Sequence, residues 1–243
     1  NEDDDFKSFQ YTTYDNPHIP KEEVDKAREE LTEDRFAQEY LADFRTTEGL
    51  VYKEFSRGIH VYGGEPGGRI VKKMGAIDFG FRNLSCILTI YKDYDLNYWV
   101  VNEWYKTGKT DTDVADYAAS LNLFEYYPDP ENQGGIEELR RRRLNVKEVI
   151  KDKGSVARGI NVVKELFKQG RLHIHRSCGN IIWELETYSY PDKKDMHNES
   201  ENPIKENDHA LDALRYCLMM DAHKKELQPR APIMPRQRKN IAV

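Results

Sequence analysis

Four side chains of this sequence have the chemistry of ligands for divalent cations. Asp78 lies within an apolar run, and Asp129 stands between two prolines in YYPDPEN. His209 and Asp212 are three positions apart in a segment of helical character, so they can reach a common point. A carboxylate within an apolar strand is costly unless a cation or hydrogen bonds compensate it. Asp78 is therefore either a turn residue at a strand end or the partner of a cation.

Asp78 and Asp129 come together if their strands are neighbours in one sheet. Two carboxylates at close range repel each other unless a divalent cation lies between them. Carboxylate and imidazole ligands suit Mg²⁺ or Mn²⁺. Two such ions about 3.5–4 Å apart activate a water and stabilise the leaving oxygen in phosphodiester cleavage. Each acid alone also has an ordinary explanation: Asp129 as a turn residue, and Asp208 as an acid favoured by a helix dipole.

The elements that must position these residues alternate from residue 75 onward. Predicted strands span 75–81 (with Asp78 in its middle), 84–92, 97–105, 123–129 and 146–150, and residues 171–175 are extended. Predicted helices span 110–122, 134–145, 155–170, 180–190 and 207–220. Three antiparallel strands followed by alternating helices and strands is the order of the ribonuclease H-like fold, an α/β fold whose mixed sheet is flanked by helices.

Composition shifts divide the chain into four parts. Residues 1–50 are predicted to be helical, residues 51–74 an extended connection with a glycine-rich turn or hairpin at 61–73, and residues 75–223 the main domain. A flexible basic tail is predicted over 224–243. Within the domain, Thr110 or Thr112 is expected to cap one helix; Ser155 is expected to cap another, which Gly170 ends.

The charge of the chain is unevenly distributed. The net charge is −6, yet residues 140–176 contain 12 Lys or Arg and only 3 acids. Such a basic stretch on an acidic chain is typical of a polyanion-binding surface, unless it merely balances the acidic residues 1–48. The candidate contacts to DNA phosphates are Lys151, Lys153, Ser155, Arg158, Arg140 and Arg143. Phosphate contacts do not read bases, so we expect little sequence specificity.

Several classes of function are disfavoured by the sequence. No apolar run approaches the roughly 18 residues that a membrane span needs, and no signal peptide is visible. Cys86, Cys178 and Cys217 lack metal-type spacing and are expected to be reduced thiols. The pattern GxxxxGK[ST] does not occur, so we expect no ATP binding through a phosphate loop in this stretch.

Four motifs resemble the C-terminal part of the large terminase subunit of tailed bacteriophages. They are AIDFGFRN, YPDPENQGGIEELRRRRLNV, KDKGSVARGINVVKELFKQGRLHIH and ENDHALDALRY, which span most of residues 75–217. The upstream residues 11–44 resemble the end of the terminase ATPase domain and its linker. The resemblance implies a RuvC-like nuclease that cuts concatemeric viral double-stranded DNA during packaging.

The resemblance also implies site residues and partners. Asp78 and Asp129 match the first two metal-binding acids of the family. We expect His209 and Asp212 to complete the ligand set for two Mg²⁺ or Mn²⁺ ions, with Asp208 as a neighbouring or substitute ligand. The implied partners are DNA, the ATPase domain of the same polypeptide, the portal and the small terminase subunit. The implied location is the host cytoplasm, with no membrane association and no place in the mature virion.

Two other interpretations are consistent with the same residues. One is another ribonuclease H-like nuclease, such as a junction resolvase or a transposase core. The other is a non-catalytic module that docks DNA or the portal. In that case the aspartates Asp78, Asp129, Asp208 and Asp212 would all be part of the scaffold. The discriminating feature is whether the carboxylates converge within about 4–5 Å, as shared metal ligation requires.

Overall fold

A six-stranded mixed sheet forms the centre of the structure, a computed structural model that describes residues 12–30, 49–80, 84–191 and 202–226. The strands are β1 (Val61–Tyr62), β2 (Ile70–Asp78), β3 (Leu84–Asp93), β4 (Tyr98–Thr107), β5 (Glu125–Pro128) and β6 (Leu172–His175). Their spatial order is β1-β6-β4-β3-β2-β5. β2, β3 and β4 pair antiparallel, whereas β5 runs parallel to β2, and β6 runs parallel to β1 and β4. This arrangement confirms the predicted mixed sheet led by three antiparallel strands.

Seven α-helices belong to the described part of the chain, together with a 3₁₀ turn at Thr13–Asp15. They are α1 (Lys21–Glu30), α2 (Arg57–His60), α3 (Asp111–Ser120), α4 (Gln133–Arg141), α5 (Ser155–Lys168), α6 (Gly179–Thr187) and α7 (His209–Glu226). Thr110 caps α3 through a reciprocal capping box with Asp113, which confirms one of the two predicted caps. Gly170, at φ +64°, follows the end of α5 as predicted.

The two faces of the sheet are covered by different helices. Successive strand residues point to opposite faces. Ala76 and Leu88 belong to a large core shared with α5, α6 and α7, whereas Ile77 and Ile87 belong to a second core shared with α3 and α4. Asp78 follows Ala76 by two positions, so it points toward the side of α7. The alternation of β2 therefore directs this carboxylate at the helix that carries His209 and Asp212.

Three predictions about the strands are wrong. β2 begins at Ile70 and ends at Asp78, so Asp78 is a strand-end residue and is not in the middle of a strand. The predicted strand 146–150 does not form: Val146 makes an isolated bridge to Tyr126, and the chain then leaves the sheet. Residues 61–73 are not merely a connection, because they contain β1 and the start of β2. β1 pairs with β6, which no local pattern could indicate.

The predicted N-cap of α5 is also wrong. Gly154 holds the cap position with φ +89°, a conformation that glycine adopts without a steric penalty, and no side chain caps the helix. Ser155 is the first helical residue, and its N–H donates to the carbonyl of Asp152. Ser155 is buried and lines the adjacent cleft.

Other predictions can be compared with the described residues. The three cysteines are buried and free. None of the described helices is long and apolar enough to cross a membrane. The tail predicted over 224–243 begins too early, because residues 224–226 are still part of α7. The rest of that tail, and most of the predicted helical segment 1–50, lie outside the described residues.

Candidate metal centre

Asp78 and His209 form the contact at the centre of the candidate site. The last residue of β2 meets the first residue of α7, with His209 Nδ1 2.8 Å from Asp78 Oδ2. Burial raises the pKa of Asp78 to about 6; the hydrogen bond with His209 opposes this rise, and the charges of Asp212 and Asp129 add to it. The contact with Asp78 raises the pKa of His209 against the effect of burial. The site therefore concentrates negative charge around one imidazole.

Asp129 reaches the same end of the sheet through β5. The parallel pairing aligns Ile77 with Pro128, and the Asp129 N–H extends it by donating to the carbonyl of Ile77 at 2.8 Å. Asp129 thus emerges beside the backbone of Asp78. Its Oδ1 accepts a hydrogen bond from the N–H of Glu131 at 2.9 Å, a local turn contact. Asp129 therefore has both the predicted role in a turn and the predicted position beside Asp78.

The first turn of α7 supplies the remaining candidates. Asp212 is ion-paired with Arg215, a residue only 4% exposed. Asp208 directly precedes α7 and is buried. Burial and the neighbouring charge of Asp212 raise the pKa of Asp208. Both acids therefore lie close to each other at the start of the helix that presents His209.

The donor set has the chemistry of a magnesium or manganese site, although the described residues hold no preformed cluster. No three His, Cys, Asp or Glu side chains in the described ranges are grouped closely enough to hold one ion together. What fits is the type and placement of the donors: a buried carboxylate in contact with an imidazole, and two further carboxylates whose charges reach it. Joint ligation by Asp78, Asp129, His209 and Asp212 stays a prediction.

A cleft of about 260 Å³ lies between the acids of α7 and the start of α5. Its lining includes the cations Lys151, Lys205 and Arg215 and the acids Asp208 and Asp212, together with Ser155. The ammonium of Lys151 lies 2.8 Å from Glu131 Oε2 and 3.7 Å from Asp129 Oδ1. Lys151, predicted as a phosphate contact, therefore also pairs with a candidate metal ligand. Lys205 was not predicted.

The other predicted DNA contacts have mixed surroundings. Lys153 is exposed, and Arg158 is paired with Asp152. Arg140 is exposed on α4, whereas Arg143 lies beyond the end of that helix at φ +59°. The expectation that all four arginines of RRRR lie on a helix is thus wrong. The arginines between these two form ion pairs, with Glu137, Glu138 and Asp116.

Glu184 is a buried acid near the site that the sequence did not single out. It lies on α6 with no exposed surface, and its carboxylate contacts the first turn of α7. Acids on amphipathic helices are usually solvated, so its type alone carries no signal. The structure buries it together with its neighbours Trp183 and Leu185 on α6.

The sheet order and the acids at the carboxyl ends of β2 and β5 define a ribonuclease H-like domain. The sequence model of the Terminase RNAseH like domain matches residues 78–219, more than half of the chain. The chain therefore belongs to the terminase nuclease-domain family, as its motifs predicted. This membership disfavours the resolvase and transposase interpretations.

Known proteins agree with this membership. The large terminase subunit of Escherichia phage T5 is 29% identical over 221 residues, which cover 86% of this chain and 50% of that protein. The chain thus spans about half the length of its curated relative. The large terminase of one thermophilic bacteriophage superposes with a TM-score of 0.64 at 22% identity, covering 86% of this chain and 53% of the other.

Two nuclease domains solved with metals share the fold. The large terminase nuclease domain of bacteriophage SPP1, with bound Mn, has a TM-score of 0.52 at 18% identity, covering 66% of this chain and 95% of that one. The large terminase nuclease of a second thermophilic phage, G20c, with bound magnesium, has a TM-score of 0.55 at 15% identity, covering 71% and 97%.

Proposed function

We propose that this chain is a metal-dependent endonuclease that cuts concatemeric double-stranded viral DNA during genome packaging. The observation that carries the proposal is the contact between Asp78 and His209 at the end of β2, beside Asp129. The partner of this buried carboxylate is an imidazole, a type of side chain that binds divalent metals, and the charges of two further acids, Asp212 and Asp129, act on it.

The proposed ligands are Asp78, Asp129, His209 and Asp212, with Asp208 as a substitute. Bound Mg²⁺ or Mn²⁺, as two ions, would supply an activated water and charge stabilisation of the leaving oxygen. The bound metals of the SPP1 and G20c domains support this choice. The chain's own part is orientation: β2 and β5 hold two carboxylates side by side, and α7 presents the imidazole to one of them.

The cleft beside α5 supports a role in holding the DNA backbone. Lys151, Lys205 and Ser155 line it together with Asp208 and Asp212, so a phosphate in the cleft would lie beside the candidate centre. The uncapped start of α5 adds backbone N–H groups and the positive end of the helix dipole. Lys153, Arg158, Arg140 and Arg143 would extend the contact along the duplex. Phosphate contacts predict weak sequence specificity.

The remaining parts of the proposal concern the larger protein. Because the T5 relative is about twice as long, we infer that this chain works with an ATPase domain of the same polypeptide. DNA is its substrate, and the portal and small terminase subunit are its proposed partners in the host cytoplasm. The 243 residues lack a phosphate loop, so we expect them to cut DNA without hydrolysing ATP.

Plasmid cleavage tests the proposal. The chain should nick and linearise supercoiled plasmid in Mg²⁺ or Mn²⁺, and chelator should abolish the cutting. Asp78→Ala should remove the activity while the protein still binds DNA. Binding of DNA without cutting in either metal would instead favour the non-catalytic docking module.

A further inference from the structure

The side chain of Glu184 accepts hydrogen bonds from the backbone at the start of α7. The backbone N–H of Ala210 donates to Oε1 at 3.2 Å, and that of Leu211 donates to Oε2 at 2.9 Å. The hydroxyl of Tyr105, on β4, donates to Oε1 at 2.6 Å. A strand, a second helix and the first turn of α7 therefore meet at one fully buried carboxylate.

The two amides that Glu184 binds are normally bound by an N-cap side chain. α7 starts at His209, so Ala210 and Leu211 are its second and third residues, whose N–H groups an N-cap oxygen accepts. The residue in the cap position is Asp208, a buried acid that lines the cleft beside α5. Glu184 thus caps the helix from outside, and Asp208 does not have to point back at its own helix.

Burying the carboxyl group of Glu184 costs free energy, which indicates that this group does more than cap the helix. Burial raises the pKa of Glu184 to about 8, although the hydrogen bonds from Tyr105 and the two amides oppose the rise. A Ser or Asn at the cap position would satisfy the same amides without burying a carboxyl group. A carboxylate anchored to the sheet through Tyr105 also fixes the angle of the first turn of α7. That turn includes His209, whose ring lies 6.5 Å from the Tyr105 ring and touches Asp78.

We propose that Glu184 is a positioning residue for the metal centre: it binds the first turn of α7 and so holds His209 against Asp78. This inference rests on the proposed function for its consequence in catalysis. Its structural part, the placement of His209, can be measured without metal or DNA. Partners of this kind, which orient a metal ligand, typically contribute about 10–100-fold to metal affinity or activity.

Glu184→Gln tests the proposal most directly. The amide keeps the size of the side chain but offers only one acceptor oxygen, so one N–H of the turn loses its partner. Glu186→Gln is the matched control, because Glu186 lies on the same helix and forms an ion pair with Arg57 at the surface. The ¹⁵N signals of the His209 ring are recorded in the metal-free protein and assigned with His209→Gln; Mn²⁺ affinity is measured by calorimetry and cleavage by plasmid assay.

We expect Glu184→Gln to shift the His209 ring signals, to weaken Mn²⁺ binding about tenfold and to lower kcat, with DNA affinity unchanged. Glu186→Gln should match the parent chain in each measurement. A folded Glu184→Gln protein with parental His209 signals and Mn²⁺ affinity would overturn the proposal. If that variant does not fold, Tyr105→Phe decides in the same way, because it removes one of the three donors and keeps the ring. A parent chain that neither binds Mn²⁺ nor cuts DNA would overturn the proposed function, whereas the His209 signals would still decide the positioning.

Discussion

The imidazole of His209 and the carboxylate of Asp78 are in contact across 131 residues of sequence, with 2.8 Å between Nδ1 and Oδ2. The contact joins the end of β2 to the start of α7. It places the imidazole, the one nitrogen donor among the proposed ligands, next to Asp78. An imidazole in place of a further carboxylate lowers the negative charge of the donor set and suits Mn²⁺ better than an all-oxygen set does.

Removing the imidazole should therefore change the metal preference. In His209→Ala, the Mn²⁺ concentration for half-maximal cleavage should rise at least about tenfold, and the requirement for Mg²⁺ should change less. Cleavage rates at a series of Mn²⁺ and Mg²⁺ concentrations provide the measurement. His18→Ala, at an exposed histidine, is the control. An unchanged dependence on both metals would exclude His209 as a ligand.

Consecutive glycines on α4 should respond differently to the same change. A Cβ on Gly135 would lie 2.5 Å from the ring of Phe79, the residue that follows Asp78, whereas a Cβ on Gly134 would meet only polar side-chain ends, the nearer at 3.2 Å. We expect Gly135→Ala to destabilise the protein by about 1–3 kcal/mol through overpacking and to slow cleavage by displacing Asp78.

Gly134→Ala is the control for that substitution. It gains the same helix propensity, about 0.5–1 kcal/mol, without the clash. Urea unfolding and plasmid cleavage of the two variants are compared with those of the parent chain. Equal stability and equal activity of both variants would show that the packing of Phe79 on α4 does not position the site.

A second group of buried charges lies on α7, away from the candidate ligands. Asp221 is 4% exposed and accepts hydrogen bonds from the Lys72 ammonium at 2.7 Å, the Tyr98 hydroxyl at 2.7 Å and the Lys92 ammonium. Burial alone would raise the pKa of Asp221, but the bonds from Lys72 and Lys92 outweigh it and lower the pKa to about 2. The ionised form is thus favoured in the folded protein.

The stability that Asp221 contributes should be lost in acid. Its pKa in the unfolded chain is about 3.9, so the contribution is complete above that pH and disappears as the pH falls toward 2. In Asp221→Asn, unfolding at pH 7 should require about 3–5 kcal/mol less, because the buried ammonium of Lys92 loses its anion, whereas Lys72 keeps Glu125 at 2.6 Å. Between pH 5 and pH 2.5, the difference between parent and variant in urea unfolding should shrink. A constant difference over that range would contradict the assigned ion pairs.

Lys151 should contribute to DNA binding as well as to the charge of the site. Lys151→Met should weaken duplex binding and lower the slope of log K against log[salt] by about one, since one phosphate contact is lost. Lys168→Met, at the exposed far end of α5, removes the same charge and should leave that slope unchanged. Equal slopes for both variants would place Lys151 outside the DNA interface.

The sequence predicted which strands and helix carry the candidate ligands better than it predicted where these strands begin and end. Asp78 and Asp129 were predictable because an acid in or after an apolar run stands out, and because parallel neighbours bring strand ends together. The exact end of β2 was not predictable, since pairing with β3 and β5 decides where the ladder stops. Residues 146–150 have the composition of a strand, yet only Val146 reaches the sheet.

Backbone conformation and long-range hydrogen bonds decide the features that the local sequence pattern could not predict. Ser155 looks like an N-cap, but the left-handed conformation of Gly154 moves the start of α5 by one residue. Glu184 looks like a surface acid until its two backbone partners, 26 and 27 residues later, are known. Local propensity does not encode contacts of this kind, because they depend on how the helices pack.

Anomalous diffraction from crystals soaked in Mn²⁺ tests the central claim most directly. We predict two manganese peaks about 3.5–4 Å apart, with Asp78 as a ligand and with Asp129, His209 and Asp212 completing the coordination. The peaks should be absent from Asp78→Asn crystals soaked in the same way. Manganese bound only at other positions, in a protein that cuts DNA in Mn²⁺, would contradict the assignment of the site.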